Sequence, residues 1–381
     1  MQLKYTATTC PFCGTGCGLN LIATDAGISG VAPYHRSTVN RGKLCTRGLH
    51  TAKAIADFRI EKASIKGAEA TLDAAIAEAK KLSGAEVYVS SRLTNEAIYA
   101  VKRMATEVLG AKEVKTFTDV NAKSDAKLAD IAAADVIVVV DDCMKKLPVV
   151  GGTILRAQDK GAKVLYAGPA GYTSVQADET AETADAFAEA VKGAKAAVVV
   201  AMAGSPLAAD AEKFAAANKA KFALLFETNN GKGAALLGCV PSLSAFKAAE
   251  APKSMLIFAE SPEVDAELYA ELLPVLEKVE NLVVVAANAS VLTDIATVVI
   301  PMASFAQYAG TFTNWEGRVQ IVRPAAEPAE GIPTPYELVK LISDGKIAYE
   351  NAEAIYADIK ANVKAFAAAE PAVDGPYVQE A

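Results

Sequence analysis

Eight short apolar runs recur along this chain, each followed by a polar or glycine-containing turn and then by an alanine-rich amphipathic stretch. They are residues 87–89, 136–140, 164–166, 198–201, 222–226, 255–258, 282–285 and 298–300. Within each run the apolar character is continuous rather than alternating, the pattern of a strand buried on both faces by crossover helices. The alternation predicts an α/β fold of doubly wound, mostly parallel, Rossmann-like sheets, several rather than one. The clearest helix is expected from Thr94 to Leu109: Thr94 can cap it, Ala97, Ile98, Val101, Ala105, Val108 and Leu109 form one stripe, and Gly110 stops it. No repeat of solenoid or propeller length emerges. One more alanine-rich helix is expected after Glu350, then a Pro/Gly tail packed on the surface or on a partner.

The first fifty residues break this pattern. Cys10, Cys13, Cys17 and Cys45 lie in CPFCGTGCG and GKLCTRG, with two, three and twenty-seven residues between successive members. Three thiolates on one tight loop plus a distant fourth can surround a cubane, whereas a structural zinc site more often draws two close pairs from two knuckles. The spacing reads as the metal-ligand set of one 4Fe-4S cluster, ahead of zinc and of a disulfide pair. Gly14, Gly16 and Gly18 are expected to take positive φ and turn their N–H groups toward the sulfurs.

A net charge of −7, a pI near 5.2 and the lack of any Lys/Arg cluster in the sequence argue against nucleic acid or an anionic membrane as the main partner. No window reaches eighteen uninterrupted apolar residues, and MQLKYTATTC has neither an apolar h-region nor twin arginines, so neither a membrane span nor export is signalled. A cytoplasmic, reducing compartment is expected, with Cys143 and Cys239 as buried free thiols. His35 and His50 read as surface or capping imidazoles. No G-x-G-x-x-G joins a strand to a helix, and the Gly151-Gly152 pair and NNGKGA read as ordinary turns.

The cluster segment, TNEAIYAVKRMATEVLG, NNGKGAALLGCVP and ATVVIPMASFAQYAGTFTNWEGRVQIVRP occur in that order. Together they resemble the molybdopterin-dependent oxidoreductases, in particular formate dehydrogenase catalytic subunits and the large iron–sulfur subunit of NADH–quinone oxidoreductase. The resemblance runs from Cys10 to about Leu341; from about Thr116 to Lys221 it is one of strand and helix pattern alone. It implies a small 4Fe-4S domain, residues 1–58 completed by about 301–345, then an α/β domain of 59–119 with 226–300, a second of 120–225, and a C-terminal helix and tail, 346–381. In that family the basic residue after the fourth cysteine lies between cluster and pterin. Here it is Arg47, which the resemblance assigns to cofactor binding by tuning and coupling the cluster; a guanidinium held by backbone carbonyls is the other reading. Residues 310–320 return to the cluster domain in the family, which places Asn314, Glu316 and Arg318 near that domain or the pterin edge, or in a purely structural loop.

Catalytic members carry a cysteine, selenocysteine or serine metal ligand, closely followed by histidine, after the TNEAIYAVKRMATEVLG-like helix. Here that interval, KEVKTFTDVNAKSDAKLADIAAA, has no cysteine, histidine or glycine-rich loop, and its Ser124 sits in a helix-like run. Cys143 follows a strand, but it lies in DDCMKKLP, where the family has an Asn-Pro turn on the pterin nucleotide. Asp141 and Asp142 would repel a pyrophosphate there. Tyr172 and Thr173 stand where an Asp-Pro-Arg is usual. About forty residues follow Ile342, too few for the family's β-rich cap, so none is expected. No molybdenum or tungsten pterin guanine dinucleotide centre and no catalytic residue are therefore expected.

The sequence points first to an iron–sulfur electron-transfer subunit whose partners are iron–sulfur or flavin subunits of a larger complex. The alternative is the catalytic half of a split formate or formylmethanofuran dehydrogenase. A scaffold with a structural cluster is the third reading.

Overall fold

The computed structural model describes residues 2–118, 124–169, 174–260 and 264–372. An antiparallel sheet of Lys4–Thr9, Gly18–Thr24 and Gly27–Pro33 opens the chain, followed by the short helices Thr46–Leu49 and Thr51–Ala56. The turn joining its first two strands carries three of the four N-terminal cysteines. It is closed by the Cys10 N–H donating to the Cys17 carbonyl at 2.8 Å.

Each of the eight apolar runs is a strand. They divide between two sheets. The larger has eight strands in the order Val240–Pro241, Val114–Thr116, Glu86–Val89, Ser254–Ala259, Asn281–Ala286, Val298–Pro301, Ala63–Ile65 and Ala68–Ala70. Its first six run parallel, and the last two form an antiparallel hairpin on the edge. The smaller sheet is wholly parallel, in the order Glu179–Ala181, Lys163–Ala167, Val136–Val140, Ala197–Met202 and Lys221–Leu225. Ile137, Val138 and Val139 are completely buried, as their unbroken apolarity requires with helices on both faces. Strand order reverses between Glu86–Val89 and Ser254–Ala259 in one sheet, and between Val136–Val140 and Ala197–Met202 in the other.

The helix Asn95–Glu107 starts where the capping residue predicts, with Thr94 Oγ1 accepting the Ala97 N–H at 3.2 Å, and Gly110 takes φ +71° beyond its end. The alanine-rich helix Ala352–Asn362 lies against it, held by an Arg103–Asp358 ion pair of 3.0 Å. The tail, residues 373–381, lies outside the described residues. The hairpin Gly310–Thr313 and Val319–Val322 comes back to the first strand, where Thr9 Oγ1 donates to the Ile321 carbonyl at 3.0 Å.

Three local expectations are corrected. Gly151 and Gly152 lie inside the helix Pro148–Gln158, where a Cβ on Gly151 would stand 3.0 Å from Met144 Cβ; the pair marks close helix–loop packing rather than a turn. In NNGKGA the glycines open the helix Gly231–Leu236. Ser124 is not helical: the helix starts at Leu128, and Ser124 runs alongside the strand Lys221–Leu225. No helix among the described residues is long and apolar enough to cross a membrane.

Candidate metal centre

The thiols of Cys10, Cys13, Cys17 and Cys45 line one cavity, whose remaining wall comes from Phe12, Thr15, Leu44, Gly48, Pro148 and Val149. Cys10, Cys13 and Cys17 are buried and Cys45 is half-buried. Among the described residues no three His, Cys, Asp or Glu side chains converge as ligands of a single ion. Four cysteines around one shared cavity are a donor set of the kind a 4Fe-4S cluster takes.

The loop bearing the first three cysteines is gripped from several directions. Arg92 Nη1 donates to the Phe12 carbonyl at 2.6 Å and to that of Pro11 at 3.3 Å. From the returning hairpin, the Trp315 N–H donates to the Gly14 carbonyl at 2.9 Å, Asn314 Nδ2 to that of Thr15 at 3.0 Å, and Gln320 Nε2 to that of Gly16 at 2.8 Å. Asn40 joins this loop to the Cys45 segment: its Oδ1 accepts the Gly18 N–H at 2.9 Å, and its Nδ2 donates to the Lys43 carbonyl at 2.8 Å.

The glycines act differently from expectation. Only Gly16 has positive φ, +74°. The Gly14 N–H donates to the Phe226 carbonyl at 3.0 Å and that of Gly18 to Asn40, so neither turns to a sulfur. Close approach is what requires glycine at position 14, where a Cβ would stand 2.6 Å from the Phe226 carbonyl oxygen.

Burial, followed by the neighbouring thiols, pushes the Cys10 and Cys17 thiols far above the ordinary range, with Arg47 pulling Cys10 slightly down. These two buried thiols resist ionisation unless a cation sits beside them, a charge that a bound metal would supply. Arg47 itself is half-buried, and its Nη2 donates to the Lys146 carbonyl beyond the strand Val136–Val140; it does not line the thiol cavity. Exposed His50 places Nδ1 2.7 Å from the Thr46 carbonyl oxygen, and neither it nor exposed His35 reaches the cavity. Cys143 and Cys239 are core thiols, each pushed up to about 12 by burial.

Asn314, Glu316 and Arg318 lie on the cluster side of the hairpin. Glu316 is buried; its Oε1 accepts the Leu128 N–H at 2.7 Å and its Oε2 accepts Arg318 Nε at 3.0 Å. The motifs TNEAI, NNGKG and GTFTN interlock behind it. Asn95 Nδ2 donates to the hydroxyls of Thr311 and Thr313, each at 2.9 Å, and Asn230 Oδ1 accepts the Thr313 N–H at 2.7 Å.

Open α/β sheets take ligands outside the strand C-termini where strand order reverses. At the reversal in the larger sheet Arg92, 3% exposed, pairs with Asp265 through Nε–Oδ2 at 2.8 Å and Nη2–Oδ1 at 2.6 Å. Beside the reversal in the smaller sheet, Asp142 Oδ2 accepts the Ser174 N–H at 2.7 Å, and its Oδ1 accepts the Ser174 hydroxyl and the Met144 N–H. These bonds hold its carboxyl below the usual range against the opposing effect of burial. Tyr172 and Thr173 lie outside the described residues. Sequence reasoning missed Arg92, Asp265 and Asn40. A charged residue three positions past a buried strand and just before a helix cap was a signal for Arg92; nothing local marked the other two.

Cavity and sheets together define a cysteine-ligand domain of the cluster-binding type joined to doubly wound α/β domains. The chain belongs to the molybdopterin oxidoreductase family: the molybdopterin oxidoreductase Fe4S4 domain matches residues 3–57, and the molybdopterin oxidoreductase domain matches residues 62–332. It is 27% identical over 227 residues to the F420-dependent formate dehydrogenase subunit alpha of Methanocaldococcus jannaschii, covering 53% of this chain and 33% of that protein. Against the F420-dependent formate dehydrogenase 1 subunit alpha of Methanococcus maripaludis it is 25% identical over 225 residues, 52% of this chain and 32% of that protein. The match thus spans about a third of each relative's length. Acetylene hydratase from Pelobacter acetylenicus shares the fold, with a TM-score of 0.63 at 11% identity over 89% of this chain and 69% of that one.

Proposed function

We propose that this chain is the iron–sulfur electron-relay subunit of a larger cytoplasmic redox complex, built on the molybdopterin oxidoreductase fold without a molybdenum or tungsten pterin centre. Bound by Cys10, Cys13, Cys17 and Cys45, a 4Fe-4S cluster supplies one-electron storage. The chain's own part is to hold four thiolates in a buried shell and fix the loop backbone through Arg92, Asn40, Asn314 and Gln320. A rigid shell of this kind favours relay, because a ligand set that cannot relax differs little between oxidation states.

The observation that carries the proposal is the Arg92–Asp265 pair, which spans the reversal where such a sheet would take a nucleotide. Asp141 and Asp142 at the other sheet oppose a pyrophosphate. Ser124 Oγ, the nominal metal ligand, is engaged by the Phe222 carbonyl at 3.1 Å and the Leu224 N–H at 3.3 Å. Among the described residues, these features argue against a bis-pterin centre. Exposed Leu3, Tyr5, Leu49 and Phe58 all lie in the cluster domain and supply apolar surface for redox partners. Six free cysteines suit a reducing compartment.

The names of the formate dehydrogenase relatives favour a second reading, the catalytic part of a split formate-oxidising enzyme. Elemental and pterin analysis of the purified complex separates the two. Iron at about four per chain with no pterin agrees with the relay; stoichiometric molybdenum or tungsten released with pterin from this chain overturns it.

A further inference from the structure

A cleft of about 550 Å³ opens where the Cys45 segment meets the helices Leu128–Ala133 and Pro148–Gln158. Arg41, Lys43, Arg156, Lys160 and Arg318 line it, although the chain as a whole carries a charge of −7. These cations come from three segments far apart in sequence, so the fold assembles a basic site that no stretch of the sequence displays. Arg41, Lys43, Arg156 and Lys160 form no ion pair among the described residues; Arg156 Nη2 donates only to Thr153 Oγ1, at 2.9 Å. The one lining carboxylate, Glu316, is already engaged by the Leu128 N–H and Arg318. Gathering unpaired like charges costs stability, and a bound anion relieves it.

The other wall is apolar. Leu44, Cys45, Pro148 and Val149 line both this cleft and the thiol cavity, so a molecule in the cleft lies against the cluster-ligand shell. Helix faces form the cleft rather than strand C-termini, which sets it apart from the sheet-reversal crevices. Its volume is that of a small-molecule site, and a concave wall lined by Arg41, Lys43, Arg156 and Lys160 matches phosphate groups better than a flat protein surface.

We propose that this cleft binds a small phosphate-bearing ligand of nucleotide type, with its phosphates on Lys43, Arg156 and Lys160 and its apolar portion against Leu44 and Val149 beside Cys45. Guanidinium and ammonium groups contact phosphate oxygens, and the apolar wall accepts a ring. The proposal does not depend on the direction of electron flow or on the absence of pterin.

Titration calorimetry of the full chain with inorganic pyrophosphate and with ADP tests it. Saturable binding is expected, stronger for ADP, weakened by added salt, and reduced roughly tenfold or more by Arg156→Gln with Lys160→Gln. Lys213→Gln, on a remote surface, is expected to bind as the parent does. Lys43→Gln provides a second variant on a different segment, and iron content and thermal melting report whether each variant retains its fold. Absence of saturable binding by either probe, or unchanged binding in folded cleft variants, overturns the proposal. So does loss of redox-subunit association in those variants with pyrophosphate binding intact, which would assign the cleft to a protein partner.

Discussion

Buried Arg92 and half-buried Asp265 form a bidentate pair between the segments that follow the two strands flanking the reversal of the larger sheet, and the same guanidinium grips the carbonyls of Pro11 and Phe12 in the cysteine loop. One side chain thus ties the reversal of the larger sheet to the cysteine loop. Replacing Arg92 by Gln strands the Asp265 carboxylate and frees two loop carbonyls. The expected loss is about 3–5 kcal/mol in denaturant unfolding, with faster iron loss to a chelator. Arg92→Met with Asp265→Leu removes both charges and is expected to recover much of the stability while still loosening iron retention.

The ligand assignment separates the cysteines into two groups. Cys45→Ser is expected to lower iron content and change the electron paramagnetic resonance spectrum of the reduced protein, because oxygen replaces one sulfur of the shell. Cys143→Ser, deep in the core of the smaller sheet, leaves iron content unchanged. Equal iron content in Cys45→Ser and the parent would remove Cys45 from the ligand set.

Gly16 meets two constraints at once. Its φ is +74°, and a Cβ there would stand 2.0 Å from Gln320 Oε1 and 2.8 Å from Asn314 Cβ. Gly16→Ala is expected to cost about 3 kcal/mol or more and to expel the loop from its hydrogen bonds. Gly67, with φ +76° and nothing within 4 Å of its would-be Cβ, isolates the backbone contribution, and Gly67→Ala is expected to cost about 1 kcal/mol. Thermal melts and iron content of the two variants, measured side by side, check the difference.

Two buried carboxyls give the fold a pH dependence. Glu260 accepts bonds from the Phe305 N–H and the Tyr308 hydroxyl, and Glu96 from the Thr311 N–H and hydroxyl; burial pushes each carboxyl up to about 7. Both are raised above their unfolded value of 4.5, so the folded state binds the extra protons. Their contribution to stability is complete below that unfolded value and is lost as pH rises through about 7, on the order of 3 kcal/mol for each. Glu260→Gln cannot titrate. The parent is therefore expected to lose stability relative to this variant between pH 4.5 and 7, as read by chemical denaturation across that range; a constant difference would contradict the assignment.

The sheets were legible because strands covered on both faces write themselves as unbroken apolar runs: Val136–Val140 is bounded as the sequence implies, and Thr94 caps its helix as expected. That Cys10, Cys13, Cys17 and Cys45 come to one cavity was legible because residue type and spacing are local. Glycine geometry was only half legible. A glycine admits positive φ, close approach or both, and position 14 needs the second while position 16 needs both. Ser124 was misread because a run of Ala, Lys and Asp favours helix, whereas here its hydroxyl is drawn to the backbone of Phe222 and Leu224. The Arg92–Asp265 pair and the basic cleft could not be read, since each joins segments that only the sheet topology brings together.

The central claim is that this chain holds a single redox centre. A stoichiometric reductive titration of the purified chain, followed by electron paramagnetic resonance, tests it most directly. Uptake of about one electron per chain with the signal of a reduced 4Fe-4S cluster is the predicted result. Uptake of further electrons accompanied by a molybdenum(V) or tungsten(V) signal would contradict it.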